Sequence, residues 1–171
     1  MRRAGEEESM PDIRCANCGH TNAIEEGAPL VCEACGRSLD VTIDLETGRI
    51  AERRTVLIVD DEPDVRAVAR TLLRSHGFEV VGEASNGPDA ALLAAEHQPT
   101  VVVLDQRMPA MSGEHTAKLL RRVSPPSLVV VFSAVVDRRP EWADAVVRKV
   151  DIDLLVEVVG SVTRMRTTPE G

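Results

Sequence analysis

Five polar residues stand where apolar segments of this sequence end. They are Asp60, Asp61, Asp105, Ser133 and Lys149. Asp105, for example, directly follows Val101–Leu104, a run of β-branched and aliphatic residues that is typical of a strand buried on both faces. A carboxylate at the rigid end of such a strand is well placed to act as a nucleophile, although a lone aspartate there more often just ends the strand.

The carboxyl ends of parallel strands share one edge of a sheet, so we expect these five side chains to meet there. Carboxylates packed this closely repel one another by a few kcal/mol per pair at an effective dielectric of about 20. A hard divalent cation with oxygen ligands removes that repulsion, and Mg²⁺ suits such a site. The sequence therefore predicts Mg²⁺ bound beside an acceptor carboxylate.

The cysteines form two Cys-x-x-Cys pairs, each followed by glycine. They are Cys15, Cys18, Cys32 and Cys35, with 13 residues between the pairs. Glycine lets the backbone turn so that its amides face a thiolate, and the pattern resembles a zinc ribbon with a structural, four-thiolate Zn²⁺. Two disulfides are the alternative, which a cytosolic chain disfavours, and iron also suits four thiolates.

From Thr55 onward, buried strands alternate with amphipathic helices. The predicted strands are residues 56–59, 78–81, 101–104, 128–132 and 145–147, and the last helix is capped by Asp151 and runs to about Arg166. Five βα units in this order predict an α/β fold with a doubly wound, five-stranded parallel sheet. Before it we expect a disordered segment (1–10), the ribbon (11–40) and a linker (41–54) that could add a ribbon strand at Val41–Leu45; residues 167–171 form a tail.

The charge and hydropathy of the chain argue against two classes of function, nucleic-acid binding and membrane insertion. The net charge of -8 and the pI near 5.0 argue against a protein that grips nucleic acid. No apolar run approaches the roughly 20 residues needed to cross a bilayer, and the start of the chain is not a signal peptide. We expect a cytoplasmic protein without membrane insertion.

Four segments of the α/β region together resemble the receiver domain of bacterial two-component response regulators. They are Asp60–Pro63, Leu104–Gly113, Phe132–Ala134 and Ala143–Lys149. The resemblance covers residues 55 to about 166 and implies a flavodoxin-like fold, as well as a signalling protein that catalyses only its own phosphorylation. It also implies a sensor histidine kinase or phosphotransfer protein as the phosphoryl donor.

The resemblance further implies a role for each site residue. Asp105 is the phosphoacceptor, and Ser133 and Lys149 contact the phosphoryl group. Mg²⁺ is held by Asp60, Asp61, Asp105 and the backbone carbonyl of Arg107.

Several positions depart from the family pattern. Lys149 precedes Val150 where the family has proline, so we expect a trans peptide bond here. Val146 replaces the switch aromatic, and Pro140 restricts the fourth helix to a turn or two. Arg107 and Val135 occupy the positions that tune hydrolysis in relatives, and because valine cannot orient a water, we expect slow autodephosphorylation.

Because nothing follows the receiver region, we expect the signal to leave through contacts of the receiver and the ribbon with an unknown downstream protein. One alternative is a transcription regulator whose ribbon touches DNA. The acidic residues of the ribbon argue against it: Asp12, Glu25, Glu26, Glu33 and Asp40 outnumber Arg14 and Arg37. The other alternative is a receiver-like scaffold that is never phosphorylated.

Overall fold

A computed structural model describes residues 13–15, 18–23, 31–37, 39, 41–43, 50–52, 54–109, 111–135 and 138–167. The chain divides into two compact units, Met1–Arg53 and Arg54–Gly171. The expected disorder of residues 1–10 falls outside the described residues, and the finer division of the first unit stays a prediction.

Two short antiparallel strand pairs occur among the described residues of the first unit. Strand β1 (Ile13–Arg14) pairs with β2 (Thr21–Asn22), and β3 (Val41–Ile43) pairs with β4 (Ile50–Glu52). The expectation of an extra ribbon strand at Val41–Leu45 is therefore corrected: β3 forms a sheet of its own with β4, a segment that we had placed in a linker. Residues 50–52 are too few to show a strand period in the sequence.

The second unit is built on a five-stranded parallel sheet. Its strands are β5 (Thr55–Val59), β6 (Glu79–Ala84), β7 (Val101–Leu104), β8 (Leu128–Ser133) and β9 (Ala145–Arg148). Their order in the sheet is β6-β5-β7-β8-β9. The predicted α/β fold is confirmed. The first and third strands of the chain order, β5 and β7, are neighbours in the middle of this sheet, so their carboxyl ends lie side by side.

Four helices cover the sheet. They are α1 (Pro63–Ser75), α2 (Gly87–His97), α3 (Gly113–Val123) and α4 (Asp153–Thr167). Their apolar sides form two cores, one built around Leu73, Phe132 and Val159 and the other around Leu57, Leu104 and Leu120. Asn86 and Ser112 cap α2 and α3 by accepting a backbone N–H from the first turn.

Of two sequence expectations about the end of this unit, one agrees with the structure and one is wrong. In the described part of the β8–β9 connection the restricted fourth helix is only a turn, which the N–H of Ala143 closes on the carbonyl of Pro140. Asp151 does not cap α4, because its carboxylate pairs with Arg148 and the chain first makes a short 3-10 helix, Lys149–Asp151.

Candidate functional site

Asp60 and Asp105 are fixed at the carboxyl edge of the two central strands. The N–H of Asp60 donates to the carbonyl of Ala84 (3.1 Å), and the N–H of Asp105 donates to the carbonyl of Val59 (2.8 Å). Both residues are buried, with 2% and 4% of their surface exposed. The sheet hydrogen bonds thus continue as far as each aspartate and leave little freedom to its backbone.

The two aspartates begin turns of the same kind. Oδ1 of Asp60 accepts the N–H of Glu62 (2.9 Å), and Oδ1 of Asp105 accepts the N–H of Arg107 (3.2 Å). In each case the side chain bonds the backbone two residues ahead, as aspartates commonly do in turns. Each carboxylate therefore uses one oxygen to fix its own loop and keeps Oδ2 for another partner.

Lys149 is that partner for both aspartates. Its Nζ lies 2.8 Å from Oδ2 of Asp60, 2.9 Å from Oδ2 of Asp105 and 3.0 Å from Oε1 of Glu62. Lys149 directly follows β9, which is an edge strand of the sheet. Asp60 follows β5, which is separated from β9 by β7 and β8. One ammonium group therefore faces three carboxylates.

The pKa values reflect this crowding. Burial raises the pKa of Asp60 above its ordinary value, and the charge of Asp105 adds to the rise, although Lys149 and the N–H of Glu62 act in the opposite direction. Desolvation by itself would lower the pKa of Lys149, but its pairing with the carboxylates of Asp60, Asp105 and Glu62 outweighs that effect and raises the pKa. The ammonium form of Lys149 is therefore strongly favoured.

The other predicted residues are placed differently. Ser133 is the buried last residue of β8, and its register partner on β9 is Arg148, immediately before Lys149. Asp61 is partly exposed and does not belong to the group of carboxylates that lie within 4.8 Å of one another, which contains Glu62 instead. Glu62 belongs to the Asp60–Pro63 segment that carries part of the family resemblance, but the sequence predicts no role for it.

Gly113 allows α3 to begin directly against the Asp105 loop. Its N–H donates to the carbonyl of Gln106 (3.0 Å). A Cβ atom at this position would lie 2.6 Å from the carbonyl oxygen of Asp105, which is closer than real side chains approach. The glycine in the Leu104–Gly113 segment is therefore explained by the position of the Asp105 backbone.

The acidic cluster fits a hard divalent cation. Oδ2 of Asp60 is buried and accepts no hydrogen bond of acceptable geometry, although Lys149 is close enough for an ion pair. Three carboxylates face a single ammonium, so the cluster retains negative charge. Oxygen donors with uncompensated charge are what Mg²⁺ prefers.

The four cysteine sulfurs also form one group, in which all Sγ atoms lie within 4.8 Å of one another. The distance is 3.7 Å from Cys15 to Cys35 and 3.5 Å from Cys18 to Cys32. A tetrahedron with metal–sulfur bonds of about 2.3 Å has edges of about 3.8 Å. Because all four cysteines are free, the alternative of two disulfides does not describe this structure.

The two Cys-x-x-Cys turns are built alike. The N–H of Gly19 donates to the carbonyl of Cys15 (2.9 Å), and the N–H of Gly36 donates to that of Cys32 (2.7 Å). Both glycines have positive φ angles, 75° and 70°, which favour glycine because it lacks a Cβ atom. The predicted use of glycine after each pair is confirmed.

The thiols differ in acidity. Burial would raise the pKa of Cys32, but backbone N–H groups of Cys35 and Ala34 and the neighbouring Cys18 thiol lower it to about 6. A backbone hydrogen bond at His20 lowers the pKa of Cys18, yet desolvation and the other three sulfurs raise it to about 12. The thiolate is the form that zinc and iron bind, so a metal at this site would release the protons that the sulfurs still hold.

Two of the expected departures are visible at the site. No cis peptide bond occurs among the described residues, so the bond between Lys149 and Val150 is trans, as predicted. Val146, at the position of the switch aromatic, is only partly buried.

The described helices include none that is long and apolar enough to cross a bilayer.

Comparisons with known proteins agree with this geometry. The family model "Response regulator receiver domain" matches residues 56–153, more than half of the chain. The chemotaxis protein CheY of Thermotoga maritima is 35% identical over 82 residues, which are 48% of this chain and 68% of CheY. The transcriptional regulatory protein PdtaR of Mycobacterium tuberculosis is 38% identical over 82 residues, which are 47% of this chain but only 40% of PdtaR.

A solved structure supports the fold. The response regulator domain of Thermotoga maritima CheB superposes with a TM-score of 0.61 at 23% identity, and the match covers 69% of this chain and 100% of that one. At that identity the similarity concerns the fold alone, whereas the family match rests on sequence. The chain therefore belongs to the response regulator receiver domain family.

Proposed function

We propose that this chain is the phosphoryl acceptor of a two-component signalling pathway and that Asp105 is the residue that is phosphorylated. The observation that carries the proposal is the paired turn geometry at the sheet edge. Asp60 and Asp105 each use Oδ1 to fix a loop and direct Oδ2 toward one cation, Lys149. This arrangement holds a nucleophilic oxygen next to positive charge.

The reaction follows from these positions. A carboxylate oxygen of Asp105 attacks the phosphorus of the donor and an acyl phosphate forms. The bond that breaks joins phosphorus to the leaving atom, which is a histidine nitrogen in the protein donor and an oxygen in acetyl phosphate. A carboxylate nucleophile carries no proton that a general base would have to remove. Lys149 then pairs with a phosphoryl oxygen, and the hydroxyl of Ser133 donates to another.

Mg²⁺ would be held by Asp60, Asp61, Asp105 and the backbone carbonyl of Arg107. When bound, it offsets the charge that develops on the transferring oxygens. Glu62 is the structural addition to this set, since its carboxylate lies within 4.8 Å of those of Asp60 and Asp105. We infer that Lys149 leaves the aspartates when the cation arrives and is then free to contact the phosphoryl group.

The cysteine cluster has a structural role in this proposal. Cys15, Cys18, Cys32 and Cys35 would hold Zn²⁺ in a closed shell with no position for a substrate. The donor is a sensor histidine kinase or a phosphotransfer protein, and a downstream protein binds the ribbon and the receiver surface. The acidic composition of the ribbon supports a protein partner over DNA.

Intact-mass measurement tests the proposal. The full chain is incubated with Mg²⁺ and acetyl phosphate, and we expect its mass to increase by one phosphoryl group. When EDTA is present during the incubation, we expect no increase. Asp105→Asn should show no gain, whereas the matched change Asp153→Asn, at an exposed acid on α4, should leave the gain intact. An unmodified wild-type chain would contradict the proposal and favour a scaffold that is not phosphorylated.

The lifetime of the label tests the expected departures. Val135 is 49% exposed and has no polar group to orient a water, and Arg107 is exposed beside the acceptor. We expect the phosphoryl group to persist well beyond seconds once the donor is removed. Loss within seconds would show that another group positions the attacking water.

A further inference from the structure

An open groove of about 500 Å³ lies beside the acceptor loop. One wall carries Arg107 and Glu114, from the Asp105 loop and the start of α3. The other carries Val135, Arg138, Pro140 and Trp142, from the β8–β9 connection. In the part of this connection that the structure describes, a turn stands in place of a helix, and the groove occupies that side of the molecule.

The wall formed by the connection is held in place. Nη2 of Arg121, on α3, donates to the carbonyl of Trp142 (3.0 Å), and Nη1 of Arg139 donates to the carbonyl of Ala143 (2.5 Å). The side chain of Trp142 packs against the core formed by α2, α3 and the sheet. The part of the connection from Arg139 to Ala143 is therefore tied to α3 and to itself, and the aromatic residue of the groove is fixed.

The groove carries positive charge that no described acid neutralises. Arg107 and Arg138 are exposed, and neither forms an ion pair with another described residue. Glu114, the acid in the lining, is paired with Lys118 (2.8 Å). Glu141 lies in the same connection but does not line the groove. Two free guanidinium groups on a chain of net charge -8 indicate an anionic ligand.

The rest of the lining is apolar. Val135 is 49% exposed, and Pro140 and Trp142 are partly exposed beside it. A small molecule generally needs a pocket that buries most of its surface, whereas this groove is open along one side. An extended peptide, which needs only a channel with anchoring contacts, fits this shape better.

We propose that the groove binds an extended acidic segment of a partner protein. Carboxylates of the segment pair with Arg107 and Arg138, and an apolar side chain between them packs against Trp142. The occupant is defined by charge complementarity, since the acid in the described lining, Glu114, is paired with Lys118 and the partner supplies negative charge for Arg107 and Arg138. The proposal does not depend on phosphorylation of Asp105.

A selection with a defined probe tests this. The full chain is immobilised and exposed to a displayed library of random 12-residue peptides, and enriched sequences are synthesised and titrated against the protein by the fluorescence of Trp142, its only tryptophan. We expect enriched peptides to carry at least two Asp or Glu residues beside an apolar residue, to change the emission of Trp142, and to bind less tightly as salt is raised.

Matched variants complete the test. Each of Arg107→Gln and Arg138→Gln should weaken binding about two- to fivefold, and the double variant about tenfold, as expected for exposed ion pairs. Arg122→Gln removes the same charge from an exposed position of α3 outside the groove and should have no effect. The proposal is overturned if no acidic peptides are enriched, if the double variant binds them equally well, or if inorganic pyrophosphate alone reproduces the response.

Discussion

The acidic site and the cysteine site of this chain are built by the same device and differ in what holds them together. Each consists of two similar turns that direct side-chain atoms to one point. The acidic turns stand on a five-stranded sheet with an apolar core on both faces. The described cysteine turns rest on two-residue strands and a buried cluster of Ile13, Leu39, Cys15 and Cys32.

The difference shows where each site obtains its positive charge. In the acidic site, Lys149 supplies a cation from the chain itself, so the receiver unit can fold before any metal binds. In the cysteine site, Cys15 and Cys32 make up half of the described buried cluster. A unit of this size is marginal on its own apolar core, so we expect a metal at the cysteines to be part of its folding reaction.

The largest expected effect is the loss of the first unit without its metal. Zinc chelation or Cys32→Ser should unfold residues 13–52 as a unit, because structural zinc contributes on the order of 10 kcal/mol to small zinc-dependent folds. Hydrogen exchange, read separately for the two units, measures the result. The receiver unit should keep its protection.

The control for this experiment is Glu33→Gln, at an exposed position of the same region, which should keep both metal and protection. If the first unit stays protected after complete removal of metal, the contrast between the two sites does not hold. Metal analysis of the purified chain also distinguishes zinc from iron.

The next effect concerns Lys149, one of only two lysines in the chain. Lys149→Met leaves three facing carboxylates without their cation and should lower the free energy of unfolding by about 2–3 kcal/mol in EDTA. Mg²⁺ should restore stability and bind more tightly than to wild type, because no ammonium competes for the carboxylates. Thermal unfolding with and without Mg²⁺ measures both.

Lys118→Met is the matched control, since Lys118 forms only an exposed pair with Glu114. Its cost should be about 0.5 kcal/mol or less and should not depend on Mg²⁺. Equal stabilities of the two variants in EDTA would show that Lys149 is not the internal cation of the site.

A smaller effect is expected at Gly113. Gly113→Ala places a methyl group against the carbonyl oxygen of Asp105 and should cost about 1–3 kcal/mol, the usual range for overpacking. The displaced loop should also slow phosphorylation by acetyl phosphate. The control is Glu114→Ala, the next residue on α3, which should change neither the stability nor the rate of phosphorylation. If Gly113→Ala also leaves both unchanged, the loop adjusts to the methyl group without cost.

The smallest effect is a pH dependence at Asp60. Because burial raises the pKa of Asp60 in the folded state, its contribution to stability is full below its ordinary pKa of 3.8 and is lost as the pH rises through the raised value. The Asp60→Asn variant has no carboxyl group at this position, so it does not lose stability in this way as the pH rises. In EDTA, the variant should therefore gain melting temperature relative to wild type between about pH 4 and pH 7.

The same variant should lose the stabilisation that Mg²⁺ gives to the wild type. Asp153→Asn, which changes an exposed acid, should follow the wild type at every pH. Parallel melting curves for wild type and Asp60→Asn across this range would contradict the account of the buried carboxylate.

The sequence was most informative where a local pattern and a topological rule agree. Runs such as Val101–Leu104 identify buried strands, and the common edge of parallel strands then brings Asp60, Asp105 and Lys149 together. The start of α1 at Pro63 and the turn glycines of the cysteine pairs were also predictable, because each depends on the geometry of one residue type.

The features that escaped prediction depend on specific side-chain contacts, which the sequence pattern does not reveal. The carboxylate of Glu62 accepts a hydrogen bond from Lys149, which is 87 positions away in the sequence. Asp151 looked like a helix cap, but the nearby Arg148 takes its carboxylate. The groove beside Trp142 exists because of how the β8–β9 connection folds back on α3, and no periodic pattern in residues 134–144 reports that.

Mapping the phosphoryl group tests the central claim most directly. After treatment with Mg²⁺ and acetyl phosphate, borohydride reduces an aspartyl phosphate to homoserine, and tandem mass spectrometry of the digested chain then locates it. We predict homoserine at position 105, dependent on Mg²⁺ and absent at the other aspartates. Homoserine at another position, or an unreduced Asp105 in a chain that carries phosphate, would contradict the assignment.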